Sequence, residues 1–161
     1  VRQIRVVAAA NSIRLPALGD TTMDGVRNLT TEFGRIGEHW SPRVIAAANG
    51  QFIKLAKVQG EFVWHDHAGE DEVFIVFRGR LMLRFRDRPD VTLGEGDMYV
   101  VPKSVEHCPV AEEETWLMLF EPAQTTHTGD VESPLTKSIE RQVSDGGLQA
   151  GAAAVSFDAP V

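Results

Sequence analysis

The chain has 161 residues, 43% of them hydrophobic, which is the size of one ordinary domain with enough apolar side chains to bury a core. Its formal net charge of −7 argues against nucleic acid as a partner, because that binding rests on cationic neutralisation of phosphates, and it favours solubility. Cys108 is the single cysteine, so an intramolecular disulfide and a thiolate-rich metal site are both excluded and a reducing, cytoplasmic location is expected. No apolar run approaches the roughly 18 residues of a membrane span, so no membrane partner is expected.

The opening "VRQIRVVAAANS" places arginines ahead of an apolar run well below the roughly 7 to 15 residues of a signal-peptide core. Pro16 and Gly19 interrupt the weak periodicity of residues 1–22, which are read as a flexible N-terminal extension; a strand crossing to a partner subunit is the alternative. One domain is expected over 23–125 and a C-terminal tail over 126–161. Val26, Leu29 and Phe33 are spaced to share one face of a short helix between Val26 and Ile36. "EHWSPRVIAAANGQ" follows as a loop and a short strand ending at the turn signal Asn49-Gly50.

From Phe52 to Glu121 the pattern changes to about eight short β-like runs divided by turn residues: "FIKLAKV", "EFVWHDH", "EVFIVF", "RLMLRFR", "VTL", "MYVVP", "EHCPVA" and "TWLMLFE". That count predicts an all-β fold, a small jelly roll or closed barrel. In "RLMLRFRDR", Leu81, Leu83 and Phe85 fall on one face. Arg80, Arg84 and Arg86 fall on the other, to be met by solvent or by acids such as Glu112 to Glu114. "EVFIVF" is apolar on both faces, since Val73, Ile75 and Phe77 match Phe74 and Val76, so both faces need cover. One can line the interior; the other needs the N-terminal segment or a second copy, which is the sequence basis for expecting a homodimer. After Pro122 the chain turns rich in Thr, Ser, Gly and Ala, and a short helix near Ser138 to Val143 is the last element expected before a mobile tail.

The chemistry concentrates in "EFVWHDHAGEDEVFIVFRGR", Glu61 to Arg80. As a strand, "EFVWHDH" projects His65 and His67 from one face, so both imidazoles reach one point. Glu72 opens the next strand in phase with Phe74 and Val76. That phase selects it over Asp66, on the opposite face, and over Glu70 and Asp71, in the turn. His107 opens a later segment, after the turn at Gly94 and Gly96 and the strand end at Pro102, that can lie beside the histidine strand. Three imidazoles and one carboxylate suit one divalent transition metal, with Mn, Fe, Co, Ni, Cu and Zn all open. Four such ligands on an octahedral ion leave two positions for water or substrate. The competing reading is a pair of exposed imidazoles at a strand end, with no metal.

These residues stand in the orders Gly60-x4-His65-x-His67-x4-Glu72-x6-Gly79 and Gly96-x5-Pro102-x4-His107, which resemble the two motifs of the cupin superfamily. The first has one residue fewer than usual between its opening glycine and first histidine. The second has Ser104 where a glycine is common and Ala111 in place of the terminal asparagine. "EHWSPRVIA", "KVQGEFVWHDH", "VPKSVEHCPVAEEE" and "HTGD" extend the likeness, over about Val26 to Asp130, to small single-domain bacterial cupins of the mannose-6-phosphate isomerase-like kind. The resemblance implies a double-stranded β-helix (jelly-roll) cupin barrel with a short N-terminal helical segment. It also implies His65, His67, Glu72 and His107 as metal ligands, and a dimer.

Cupins catalyse very different reactions, so the fold selects none of them. The leading expectation is a metal-dependent enzyme for a small organic molecule with two oxygens to offer, such as an enediol, diketone, keto acid or hydroxy acid. Oxygen-dependent, dioxygenase-like oxidation stands ahead of Lewis-acid isomerase or lyase chemistry. The alternatives are a non-catalytic metal- or ligand-binding module and a sugar-phosphate isomerase, which would want Arg or Lys side chains converging on the pocket. Leu81, Leu83, Phe85, Trp116, Met118 and Phe120 are candidate wall residues, and Tyr99, Lys54 and Gln59 candidate polar contacts. Cys108 should point away from His107 as a buried apolar group, and His39 and His127 receive no role.

Overall fold

A computed structural model describes residues 25–147; the extension expected over 1–22 and the end of the expected tail lie outside the described residues. Two short helices, α1 (Leu29–Gly34) and α2 (Ile139–Asp145), flank the strands β1 (Arg43–Ala48), β2 (Gln51–Glu61), β3 (Glu72–Arg78), β4 (Leu81–Phe85), β5 (Val91–Leu93), β6 (Met98–Val101) and β7 (His107–Pro122). The pairings among these seven strands are antiparallel. The order is β1-β2-β7-β3-β6, with β4 joined to β5 and β7, an all-β jelly roll as expected. Asn49 and Gly50, with φ of 53° and 76°, form the tight turn between β1 and β2, because two successive left-handed residues match the twist of a hairpin.

Strand β7 organises the barrel. "EHCPVA" and "TWLMLFE" are one strand of 16 residues rather than two. Its first residues pair with β4, from Phe85↔His107 to Met82↔Val110, and its second half lies between β2 and β3. The apparent gap is a bulge: pairing with β2 jumps from Val58↔Thr115 to Gly60↔Ala111, which pushes the exposed Glu112 to Glu114 out of the ladder.

Period-two alternation sorts β7 onto two faces. Leu117 and Leu119 point inward into a core with Ala56, Val58, Phe74, Val76, Leu81, Leu83 and Phe85. Trp116 and Met118 pack instead with Phe33, Ile36, Ile45 and Leu55, so the expectation that they line the barrel is corrected. Phe120 alternates with Leu119 and Glu121 and falls on the same outer side, opposite Ile53. Phe33 of α1 stacks on Trp116 at 4.8 Å between ring centroids and meets Phe77 at 5.2 Å. Burying a phenylalanine in this way contributes roughly 2–3 kcal/mol. The helix is shorter than expected: Asn28 caps it through a hydrogen bond from the Thr31 N–H, and Val26 is fully exposed instead of sharing the Phe33 face. The outer face of β3 thus receives part of its cover from the N-terminal segment, while Met98 and Val100 on the neighbouring β6 stay exposed.

The arginine face of β4 finds other partners than Glu112 to Glu114. Arg84 pairs with Glu61 at 3.2 Å, and the Arg86 guanidinium lies 3.6 Å from the Trp64 ring centroid and 3.5 Å from Glu106. Glu114 is taken by His39 and Lys57. After β7 the chain folds back: Ile139 and Val143 of α2 bury against Val44, Phe52 and Ala123, so residues 126–147 of the expected tail are packed structure.

Candidate metal centre

The "EFVWHDH" segment is not a strand. Strand β2 stops at Glu61, the Phe62 N–H still donates to the Pro109 carbonyl at 2.9 Å, and the chain next meets β7 at an isolated bridge in which the His65 N–H donates to the His107 carbonyl at 3.0 Å and the His107 N–H returns to the His65 carbonyl at 2.9 Å. The His67 carbonyl is held separately, by the Ser104 N–H at 2.8 Å. Ser104 stands at φ 61°, the left-handed conformation for which a glycine is better suited. Tertiary hydrogen bonds therefore place His65 and His67, with their ring centroids 5.3 Å apart.

His65, His67 and Glu72 offer ligand atoms that all lie within 4.8 Å of one another. Glu72 Oε2 is the hub, at 3.8 Å from His65 Nε2, 3.2 Å from His67 Nε2 and 3.1 Å from His107 Nε2. All four side chains are buried. His65 Nδ1 lies 3.0 Å from the Val63 carbonyl and His107 Nδ1 3.0 Å from the Val105 carbonyl. A carbonyl only accepts, so in both rings Nδ1 carries a hydrogen, which leaves Nε2 to donate to the Glu72 carboxylate when it also carries a proton, or to offer its lone pair to a cation when it does not. Burial pushes the Glu72 carboxyl up, but the hydrogen bond with His107 and the imidazoles of His65 and His67 gathered around it outweigh burial and hold the group well below the usual carboxylate range. Burial likewise pushes His67 down, and Glu72 more than restores it.

The Nε2 atoms of His65 and His67 are buried without a hydrogen-bond partner, an arrangement that costs about 1–3 kcal/mol per atom unless something else satisfies it. A divalent cation among imidazole nitrogens and a carboxylate oxygen would satisfy these atoms at once, and the N/O donor set suits a transition metal. The cluster fits the group.

Comparison with known proteins places the fold. The cupin domain model matches residues 52–122. The uncharacterized protein YdbB of Bacillus subtilis (strain 168) is 32% identical over 85 residues, 53% of this chain and 75% of that protein. The chain belongs to the cupin family. Among solved structures, a cupin-2 domain containing protein from Shewanella frigidimarina is 55% identical, covering 60% of this chain and 94% of that one with a TM-score of 0.59. Protein NMB1881 from Neisseria meningitidis is 36% identical, covering 61% and 99% with a TM-score of 0.57.

Of the residues that the sequence offered for the pocket of this cupin, Lys54, Phe85 and Tyr99 lie on the inside. Phe85 is paired with His107 across β4 and β7, and its ring meets Tyr99 at 5.9 Å. Lys54 is fully buried but committed, with Nζ donating to Glu121 Oε2 at 2.7 Å and to the Thr125 carbonyl at 3.3 Å. Gln59 is exposed near the end of β2, where its carbonyl accepts from the Trp40 indole, so the fold does not bring it to the cluster. Trp116 and Met118 stand on the other face, as described. His39 is a surface partner of Glu114, and Cys108 is buried, its thiol pushed up to about 11 mainly by burial.

Three residues around the cluster escaped the sequence reading. Glu121 is buried beside Lys54 and sits one position beyond the Val73↔Phe120 pair, on the same inner face as Glu72. Burial raises its carboxyl; Lys54 opposes this and the charge of Glu72 adds to it. Its phase with Leu117 and Leu119 was the available signal. His127 is buried, lying 3.1 Å through Nε2 from the Leu135 carbonyl and 3.3 Å through Nδ1 from the Gln142 amide. Burial and the Lys54 charge bring it down to about 4. Thr125 is buried and donates its hydroxyl to Glu70 Oε1 at 2.8 Å. Beside the cluster is a cavity of ≈ 30 Å³, lined by His65, Glu72, Phe62, Phe74, Leu119 and His127, with room for one or two waters. Gly129, at φ 55°, lies so close to the histidine loop that a Cβ there would overlap the Asp66 carbonyl oxygen.

Proposed function

We propose that this cupin holds one divalent transition metal on His65, His67, Glu72 and His107 and uses it to bind and transform a small organic molecule with two neighbouring oxygens, oxygen-dependent oxidation being the leading chemistry. The reading is carried by the two buried, unpartnered Nε2 atoms of His65 and His67 beside the charged carboxylate of Glu72. When bound, the metal would supply Lewis-acid polarisation and, where it is redox-active, electron transfer. The chain's own residues keep the ligand atoms away from bulk water and fix the tautomers of His65 and His107 through Val63 and Val105. Glu121 Oε1, buried without a partner, is the acceptor available to a hydroxyl of the bound molecule.

The test is metal content by mass spectrometry on protein purified without an affinity metal, beside the His65→Ala/His107→Ala double variant. About one equivalent of Fe, lost in the variant, leads to oxygen-uptake screening against dicarbonyl and enediol compounds. Zn or Mn directs the screen to isomerase and lyase substrates. No metal, even after reconstitution, overturns the reading.

A second reading, a non-catalytic metal- or ligand-binding module, is favoured by the size of the cavity, whose ≈ 30 Å³ suits waters better than a substrate. The mannose-6-phosphate isomerase-like alternative is less well supported: Lys54 is neutralised by Glu121, and Arg84 and Arg86 lie outside the barrel against Glu61, Glu106 and Trp64. Among the described residues no helix is long and apolar enough to cross a membrane. A homodimer in the cytoplasm completes the proposal, the second copy covering Phe77, Met98 and Val100 on the outer face of β3 and β6; light scattering after size exclusion tests it.

A further inference from the structure

We infer that Glu70 is the acceptor that orients His67 at the metal centre, a positioning residue held by Thr125 and the buried Lys54–Glu121 pair. The inference rests on the metal reading above. A histidine that ligates through Nε2 needs a hydrogen on Nδ1, and an acceptor for that hydrogen fixes the ring and raises its basicity. His65 and His107 each have such an acceptor, the carbonyl two residues earlier, at 3.0 Å. Among the described residues no carbonyl faces His67 in this way. The carboxylate oxygen beside its Nδ1 is Glu70 Oε1, at 4.0 Å.

That oxygen is not loose. It accepts the Thr125 hydroxyl at 2.8 Å, and the Thr125 carbonyl accepts from Lys54 Nζ at 3.3 Å. Lys54 is bound to Glu121 at 2.7 Å with both side chains fully buried. A continuous polar chain thus runs from the barrel interior through the segment after β7 to the far side of the His67 ring. The backbone of His67 is pinned by Ser104, so the adjustable partner is the Glu70 side chain, which is 26% exposed. Closing from 4.0 Å to hydrogen-bond length moves the carboxylate by about 1 Å, within reach of a side-chain torsion. Asp66 and Asp71 make no such contact; Asp71 caps the Lys103 N–H instead.

The test uses the full chain and Zn²⁺ as probe, with affinity measured by chelator competition. Glu70→Ala should weaken Zn²⁺ binding by about 10–100-fold. Glu70→Gln, which keeps a carbonyl acceptor, should recover most of that loss, Thr125→Val should lose less than Glu70→Ala, and Asp66→Asn should match the parent protein. Imidazole ¹⁵N spectra of the Zn²⁺-loaded protein should show a hydrogen-bonded Nδ1–H on His67 that Glu70→Ala perturbs. Unchanged affinity in Glu70→Ala, or a loss of affinity with the His67 nitrogen signals unaltered, overturns the inference while leaving the metal reading standing. A parent protein that fails to bind Zn²⁺ or any other transition metal takes both down.

Discussion

Two pairs of candidate ligands reach the same point by different means. Glu72 and His107 open the regular strands β3 and β7, where ladder hydrogen bonds set the direction of each side chain. His65 and His67 ride on an irregular stretch held by one bridge to His107, the Ser104 N–H on the His67 carbonyl, and the close approach of Gly129 to Asp66. The difference teaches that half of the centre is secured by secondary structure and half by contacts from segments distant in sequence.

The strand-borne half is broken most directly by Glu72→Gln, which removes the hub and should weaken metal binding by more than about 100-fold, far beyond Glu70→Gln; equal retention in the two variants, by metal analysis after dialysis, would count against the assignment. The loop-borne half should fail through Gly129→Ala. Its Cβ overlaps the Asp66 carbonyl at a left-handed backbone position, so a loss of about 4 kcal/mol is expected in denaturant unfolding, with the histidine loop the first region to exchange its amide hydrogens.

The segment that clasps the loop also carries a pH signature. His127 is held down to about 4 when folded, below its ordinary value of 6.5, so it stays neutral in the fold while the unfolded chain takes up a proton. Stability should therefore be unaffected by this group above pH 6.5 and fall as pH drops from there to about 4, by about 3 kcal/mol in all. His127→Gln should flatten that part of the curve; identical pH dependence in the two proteins would remove the role of His127. The smallest effect belongs to Ser104→Gly. Releasing a left-handed serine should stabilise the protein by roughly 0.5–1 kcal/mol after the entropic cost of glycine, read as a rise in melting temperature without loss of metal.

Much of this was legible in the chain. The inward phase of Leu81, Leu83 and Phe85, the Asn49-Gly50 turn and the short strands at Val91–Leu93 and Met98–Val101 are local patterns, and local patterns survive into the fold. "EFVWHDH" misled because its alternation mimics a strand, yet beyond Phe62 it returns to the sheet through the isolated bridge at His65. Trp116 and Met118 misled because alternation separates a strand's faces without saying which is inside. The inward side of β7 is decided by Glu121 joining Lys54 and by Phe33 arriving over Trp116, both long-range contacts.

By itself, then, the sequence determined an all-β domain and the residue types of a candidate nitrogen–oxygen metal centre, because strand period, turn residues and ligand spacing act over a few positions. Only the tertiary structure decided that Glu121, Thr125 and His127 return to the histidine loop and that Glu70 stands behind His67. The return of Thr125 to Glu70 joins positions 55 residues apart in the chain, and burial of polar groups in a shared interior, which no local pattern encodes, selects it.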